Sequence, residues 1–288
     1  MSLFSGIGAF EKALERLKIQ YELVGYCEID PFASKAYSLL HGVPESMNFG
    51  DITKLNEKIL PDNIDLITYG FPCQDISIAG LQKGFTDVNG EKTRSGLFFD
   101  ALRIIEHTQP QVAIAENVKN LAGKKFSKQF SIVLDSLEAA GYNNYWKILN
   151  AMDYEIPQNR ERVLIVSIRK DIDTGIFQFP EPVPLKKCFG DMLEDEVPEK
   201  YFLTPEKLAS IEYSSFTQQR ENTVQEWGGI CKTLLARDYK DPKCVRVVRN
   251  EKDNTNCRPS PLQERSDEPG IFPGRGSSYI KDCNRGWT

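Results

Sequence analysis

The chain has 288 residues, of which 40% are apolar, and a formal charge of −5 at pH 7. That length suffices for one large α/β domain, or for a domain of about 180 residues followed by a smaller one. No run approaches the ~18 apolar residues of a membrane span, the first residues lack a signal peptide's basic-then-apolar order, and the acidic balance argues against non-specific coating of nucleic acid, so the expected address is the cytoplasm.

The chain opens on "LFSGIGAFEKAL" (3–14), a glycine-rich turn leading into a helix. Gly6 and Gly8 let a ligand approach the backbone, and the helix start offers free N–H groups. Such a turn fits NAD, FAD or S-adenosylmethionine, or a purely structural bend. Position 11 is Glu11 rather than the third glycine of the dinucleotide fingerprint, which favours a cofactor without a pyrophosphate. Phe10, Ala13, Leu14 and Leu17 stand at i, i+3, i+4 and i+7 and predict an amphipathic helix.

"ELVGYCE" (22–28) is the first predicted strand, running into "YCEIDPFA" (26–33). Glu28 ends it about 20 residues after the glycine turn, where a carboxylate takes both hydroxyls of a ribose. Asp30 is the competing candidate, and a solvated acidic loop is the plain alternative. In "GDITKL" (50–55), Asp51 accepts from an adenine amino group or caps the helix that follows.

"IDLITYG" (64–70) predicts a buried strand that runs straight into "GFPCQDIS" (70–77). Cys73 is then placed at the carboxyl end of a central strand, where open α/β sheets hold their ligands. A buried structural cysteine is the alternative. Gly70 allows close approach, Pro72 stiffens the turn, and the polar run from Gln74 to Ser77 is unlike a continuing core.

"VAIAEN" (112–117) is a further strand and ends in Glu116 and Asn117. Phe130, Val133, Leu134 and Leu137 mark a helix that stops at Gly141, a C′ glycine. Strands "NYWKILNA" (144–151) and "RVLIVSI" (162–168) follow, with "IPQNRERV" (156–163) between them. There Arg160 and Arg162 share one face if the segment is extended. Strands alternating with helices imply an α/β fold, a doubly wound and mostly parallel sheet.

Past "FQFPEPVPL" (177–185) the regularity fades, which puts a boundary near 180. Residues 250–288 read as loop-like or disordered. From residue 217 onward 13 Lys/Arg face 10 Asp/Glu, a mildly basic tail on an acidic body, as suits a cleft that meets DNA on one side. The seven cysteines include no CxxC pair, and His41 and His107 are far apart, so no metal site is expected. The thirteen-residue spacing of Cys231, Cys244 and Cys257 is read as coincidence.

Taken in order, "LFSGIGAF", "CEIDPFA", "GDIT", "GFPCQDIS", "LFFDALRI", "ENV" and "QNRERV" resemble the DNA (cytosine-5)-methyltransferases of bacterial and phage type, over residues 1 to about 185. The resemblance implies a Rossmann-like, S-adenosylmethionine-dependent catalytic domain (1–185) and a target-recognition region (186–288), with "GGICKTLLARDYKDPKCV" (228–245) part of the latter. It implies Cys73 as the nucleophile at C6 of a flipped-out cytosine, Glu116 at N3 and the exocyclic amine, Arg162 at O2 and Arg160 in support. For the cofactor it implies Phe4 stacked on the adenine, Gly6 and Gly8 at the methionine end, and Glu28 on the ribose. Ile29 would flank the adenine, Asp51 and Ile52 would read its edge, and Pro72 and Leu97 would close the pocket near the sulfonium.

The implied substrate is double-stranded DNA with a specific cytosine-containing site. A monomer is expected, without membrane attachment; the resemblance leaves open whether a cognate restriction endonuclease acts separately or the enzyme is solitary. Two further readings are a relative that binds DNA or cofactor without turnover, and a tRNA cytosine-5 methyltransferase. Eukaryotic-type members of the latter branch read "PPCQPFT" where this chain has "GFPCQDIS". An NAD-dependent oxidoreductase would leave the cysteine, glutamate and arginine series unexplained. The chain begins two residues before "LF" and lacks the family's usual closing motifs, so turnover below what its motifs promise is the expectation.

Overall fold

A computed structural model describes residues 1–72, 94–193, 198, 202, 224–226, 228–233, 244–248 and 278–282. The chain divides into two compact units, one of residues 1–149 and 161–180, the other of 150–160 and 181–288. Residues 150–160, which the sequence pattern keeps with the first unit, join the second.

The elements, in chain order, are β1 (Ser2–Leu3), α1 (Ala9–Arg16), β2 (Tyr26–Cys27), α2 (Pro31–His41), β3 (Leu66–Tyr69), α3 (Phe98–Thr108), β4 (Val112–Val118), α4 (Ser127–Ala139), β5 (Tyr142–Asn150), β6 (Gln158–Asn159) and β7 (Glu161–Arg169). The first unit's sheet runs β2-β1-β3-β4-β7-β5. β1 pairs in parallel with both β2 and β3, and β3 in parallel with β4. β7 is antiparallel to β4, with Ala115 opposite Ile165 and Val118 opposite Arg162.

The sheet is therefore α/β and mostly parallel, with one antiparallel strand, β7, set between β4 and β5. Its direction brings the start of β7 to the same edge as the end of β4. Because the chain runs from β1 outward to β2 and then crosses back to β3 on the other side of β1, the strand order reverses at β1, the place where open sheets hold ligands.

The core lies between the sheet and its helices. Ile67, Ala113, Ala115, Val163 and Ile165 from the strands are buried with Phe98, Ala101, Ile104 and Ile105 of α3 and Val133 and Leu137 of α4. α4 ends as expected: Gly141 takes φ 101°, a left-handed conformation that glycine adopts without a Cβ penalty.

α1 departs from expectation. Its apolar set is not its packed face, since Leu17 is 70% exposed whereas Glu11 is buried. Gly8, Glu11 and Glu15 share the other stripe (i, i+3, i+7), and this stripe meets α2. Glu15 Oε1 lies 2.8 Å from His41 Nδ1, and a Cβ on Gly8 would lie 2.9 Å from the Tyr37 ring and closer still to that of His41. A cavity of about 790 Å³ opens at the amino ends of β1, β2 and β3, lined by Leu14, Ile19, Tyr21, Val24, Phe49 and Ile59 among others.

The second unit contains β8 (Val224–Glu226), β9 (Cys231–Lys232), β10 (Cys244–Val248) and β11 (Ser278–Asp282). β6 pairs in parallel with β9, and β11-β10-β8 form a separate three-stranded sheet. Within residues 250–288 only β11 is described, and it is a strand rather than a loop.

Candidate active site

Among the described residues, Phe4, Gly6 and Gly8 follow β1, Glu28 and Ile29 follow β2, Pro72 follows β3, and Glu116 lies near the carboxyl end of β4. Phe4, directly after β1, has φ 54°, a left-handed conformation that costs an aromatic residue about 1–2 kcal/mol and signals an over-determined turn. Ser5 N–H donates to the Cys27 carbonyl (3.0 Å), and Gly8 N–H to that of Ser5 (3.0 Å). Gly6 has φ 56° and open space where a side chain would sit, whereas Gly8 is closed in by Tyr37 and His41. The two glycines thus answer different demands, open approach at Gly6 and close packing at Gly8. The buried Ser5 hydroxyl has no hydrogen-bond partner among the described residues.

Glu28 follows β2. Its Oε2 accepts from Gly6 N–H and its Oε1 from Asp30 N–H, both at 2.8 Å. Asp30 is committed elsewhere: it caps α2, accepting from Phe32 N–H (2.7 Å) and Ala33 N–H (3.1 Å). Ile29 between them is 74% exposed.

Asp51 caps a short 3₁₀ turn, taking Thr53 N–H (3.0 Å) and the Thr53 hydroxyl (2.8 Å) on Oδ1. The Thr53 hydroxyl, then its amide, hold the Asp51 carboxyl below the usual carboxylate range. Ile52 is buried. Its carbonyl accepts from Arg103 Nη2 of α3 at 3.0 Å, and Arg103 Nη1 reaches the Leu55 carbonyl at 3.0 Å and pairs with Glu57. Leu97, half-buried, precedes α3.

At β4 the Glu116 Oε1 accepts from Arg162 Nε at 2.7 Å, and the pair is only partly exposed, 31% and 21%. A Cβ on Gly70 would lie 3.6 Å from Glu116 Oε2. The residue after β3 therefore packs directly beside this carboxylate. Asn117, buried, donates from Nδ2 to the Phe71 carbonyl (3.1 Å) and accepts Val118 N–H on its own oxygen (2.9 Å). That amide ties the end of β4 to the approach of the "GFPC" turn. Phe71 is buried against Phe98, ring centroids 5.5 Å apart, and Pro72 is half-buried. Cys73 itself lies outside the described residues.

Arg160 does not share a strand with Arg162. It is the break between β6 and β7 and belongs to the second unit. There its N–H donates to Asn150 Oδ1 (2.9 Å) and its carbonyl accepts from Ala151 N–H (3.1 Å).

Two residues that build this edge went unnoticed in the sequence, Asn48 and Arg103. The signal for Asn48 was an asparagine two residues before a glycine, the pattern of a side chain closing its own turn. Arg103 sits inside an apolar helix and carries no local sign of its reach to residues 52–57.

A family model described as C-5 cytosine-specific DNA methylase matches residues 1–271. The chain is 39% identical over 279 residues to the type II methyltransferase M.NlaX of Neisseria lactamica, spanning 94% of this chain and 86% of that one. It is 36% identical over 260 residues to the orphan methyltransferase M.SPRI of Bacillus phage SPR, spanning 80% and 58%. The fold resembles that of the Entamoeba histolytica methyltransferase EhMeth, with a TM-score of 0.63 at 17% identity over 90% of this chain and 77% of that one. The chain spans about half the length of several curated relatives it matches, 58%, 50% and 42% for three of them.

Proposed function

The chain belongs to the C-5 cytosine-specific DNA methylase family, and from that membership we propose that it transfers the methyl group of S-adenosylmethionine to C5 of a flipped-out cytosine in DNA. The observation that carries it is the Glu116–Arg162 pair facing Gly70, three residues before Cys73 in sequence.

C5 of cytosine is a poor nucleophile, so the Cys73 thiolate adds first at C6 and converts the ring to an enamine. Glu116 holds N3 and the exocyclic amine, favouring N3 protonation as electron density arrives, and Arg162 holds O2. Arg160 takes the supporting role its motif implies. Once C5 of the enamine has taken the methyl group, a base removes the C5 proton, the C5–C6 double bond re-forms and the Cys73 thiolate leaves. Flipping the cytosine out of its stack costs a few kcal/mol, and nearby guanidinium charge favours the thiolate over the thiol.

The cofactor, when bound, supplies an electrophilic methyl group. The residues present fit it: the space beside the Gly6 Cα is open and the buried Ser5 hydroxyl has no partner among the described residues. Glu28 takes the ribose hydroxyls and Phe4 the adenine face, with the exposed Ile29 beside it. Asp51 and Ile52 take the adenine edge, Gly6 and Gly8 the methionine end, and Pro72 and Leu97 the sulfonium end. Residues 186–288 read the target site in double-stranded DNA, and the protein works as a cytoplasmic monomer. Among the described residues no helix is long and apolar enough to cross a membrane.

The test is to incubate the protein with duplex DNA and methyl-labelled cofactor, then sequence the DNA after bisulfite conversion. Label in DNA and protected cytosines at one recurring sequence are expected. Unlabelled, fully converted DNA would overturn the proposal.

A further inference from the structure

Asn48 makes four hydrogen bonds with its side-chain amide. Its Oδ1 accepts from Glu28 N–H (3.0 Å) and Gly50 N–H (2.8 Å), while its Nδ2 donates to the Glu28 carbonyl (2.9 Å) and the Ser34 hydroxyl (2.9 Å). The amide has one consistent orientation, since turning it over would set two donors against two backbone donors. Its backbone adds to the same junction: Asn48 bridges to Tyr26 of β2, and Phe49 N–H donates to the Tyr26 carbonyl at 2.7 Å. Ser34 belongs to α2 and its hydroxyl also pairs with that of Tyr26 at 3.1 Å.

We infer that Asn48 is the positioning residue that fixes the ribose-binding carboxylate and the adenine-edge loop at one spacing. It clamps both backbone groups of Glu28 and closes the turn at Gly50, which stands directly before Asp51 and Ile52. No other single side chain described at this edge bonds to both segments. Glu28 and Asp51 would contact parts of one rigid adenosine, so their mutual spacing sets whether both contacts form together. Preorganisation of this kind acts on affinity for the nucleoside without touching it. The inference rests on reading this edge as the cofactor site.

The test compares the full chain with its Asn48→Ala, Asn48→Asp and Glu28→Ala variants by calorimetric titration with S-adenosylhomocysteine, and by steady-state methyl transfer. Asn48→Ala is expected to weaken nucleoside binding about tenfold, the size of roughly one net hydrogen bond. KM for the cofactor rises in step, while KM for DNA and kcat at saturating cofactor stay within about twofold of the parent. Asn48→Asp keeps the two acceptor bonds but sets a carboxylate oxygen against the Glu28 carbonyl, so its affinity falls at least as far as that of Asn48→Ala. It also carries the test should Asn48→Ala fail to fold. An affinity unchanged in both Asn48 variants, with Glu28→Ala weakened, would overturn the positioning role alone. A Glu28→Ala variant that binds as tightly as the parent would overturn the cofactor site and the inference with it. Equal losses in both KM values and in kcat would mark Asn48 as a general structural residue and also overturn it.

Discussion

Glu116 shows how one residue's surroundings separate function from stability. Its bond to Arg162 is partly exposed, and such pairs contribute at most about 1 kcal/mol. Glu116→Gln is therefore expected to shift thermal stability little and to lower turnover at least about 100-fold, the usual scale for losing a positioned proton-handling group. Turnover and Tm measured on the same sample check this, and a variant within twofold of the parent rate would remove Glu116 from the chemistry. Cys27 is the contrasting thiol. Burial, above the smaller effects of Arg103, Asp51 and Glu28, pushes it up to about 12. An unfolded thiol titrates near ~8.5, so Cys27 supports the fold fully below that pH, and its contribution is lost as pH rises toward 12. Iodoacetamide at pH 8 should leave Cys27 unmodified in the native protein and label it in urea, as peptide mass mapping would read.

The glycine turn and α1 carry the next prediction, because Gly6 and Gly8 are alike in sequence and unlike in place. Both have positive φ, but only at Gly8 would a Cβ strike Tyr37 and His41. Gly8→Ala should cost about 2–4 kcal/mol, combining backbone strain with overpacking. Gly6→Ala should cost only about 1–2 kcal/mol of strain and express itself chiefly as weaker cofactor binding. Paired melts and titrations check this; equal destabilisation would mean that the Gly6 turn is packed too. The same contrast explains what could be read in advance. The glycines mark a turn, but nothing local says that α2 fills the space behind one of them. β4 and α4 were legible because each keeps its period over seven residues or more. β1 is two residues long and shows no period, although it is paired on both sides. α2 carries no legible period because Phe32, Leu39 and Leu40 are exposed, so its apolar positions do not mark its buried face. The apolar spacing of α1 predicts the helix but not its packed face, since its contact with α2 runs through a glycine and two glutamates.

At the scale of the whole chain, strand order does what spacing along the sequence cannot. Residues 4, 28, 51, 70 and 116 are far apart in the chain, yet parallel pairing brings the carboxyl ends of β2, β1, β3 and β4 to one edge. The antiparallel return of β7 adds Arg162 opposite Val118. A resemblance in motif order indicated which residues belong together. The physical reason, a reversal of strand order at β1 and the single antiparallel strand β7, lies in how the strands pair. The second unit was less legible because its strands are short and set among turn formers, as at β9 and β11. All of this converges on the claim that the edge serves a covalent attack by Cys73 on cytosine, and trapping tests it most directly. Duplex DNA with 5-fluorocytosine at the target position carries a C5 fluorine that no base can remove, so methyl transfer leaves the protein bonded through C6. The parent chain with S-adenosylmethionine should give a denaturation-resistant protein–DNA adduct whose peptide map places the bond at Cys73, and Cys73→Ser should give none. An adduct formed equally by Cys73→Ser, or mapped to another residue, would contradict it.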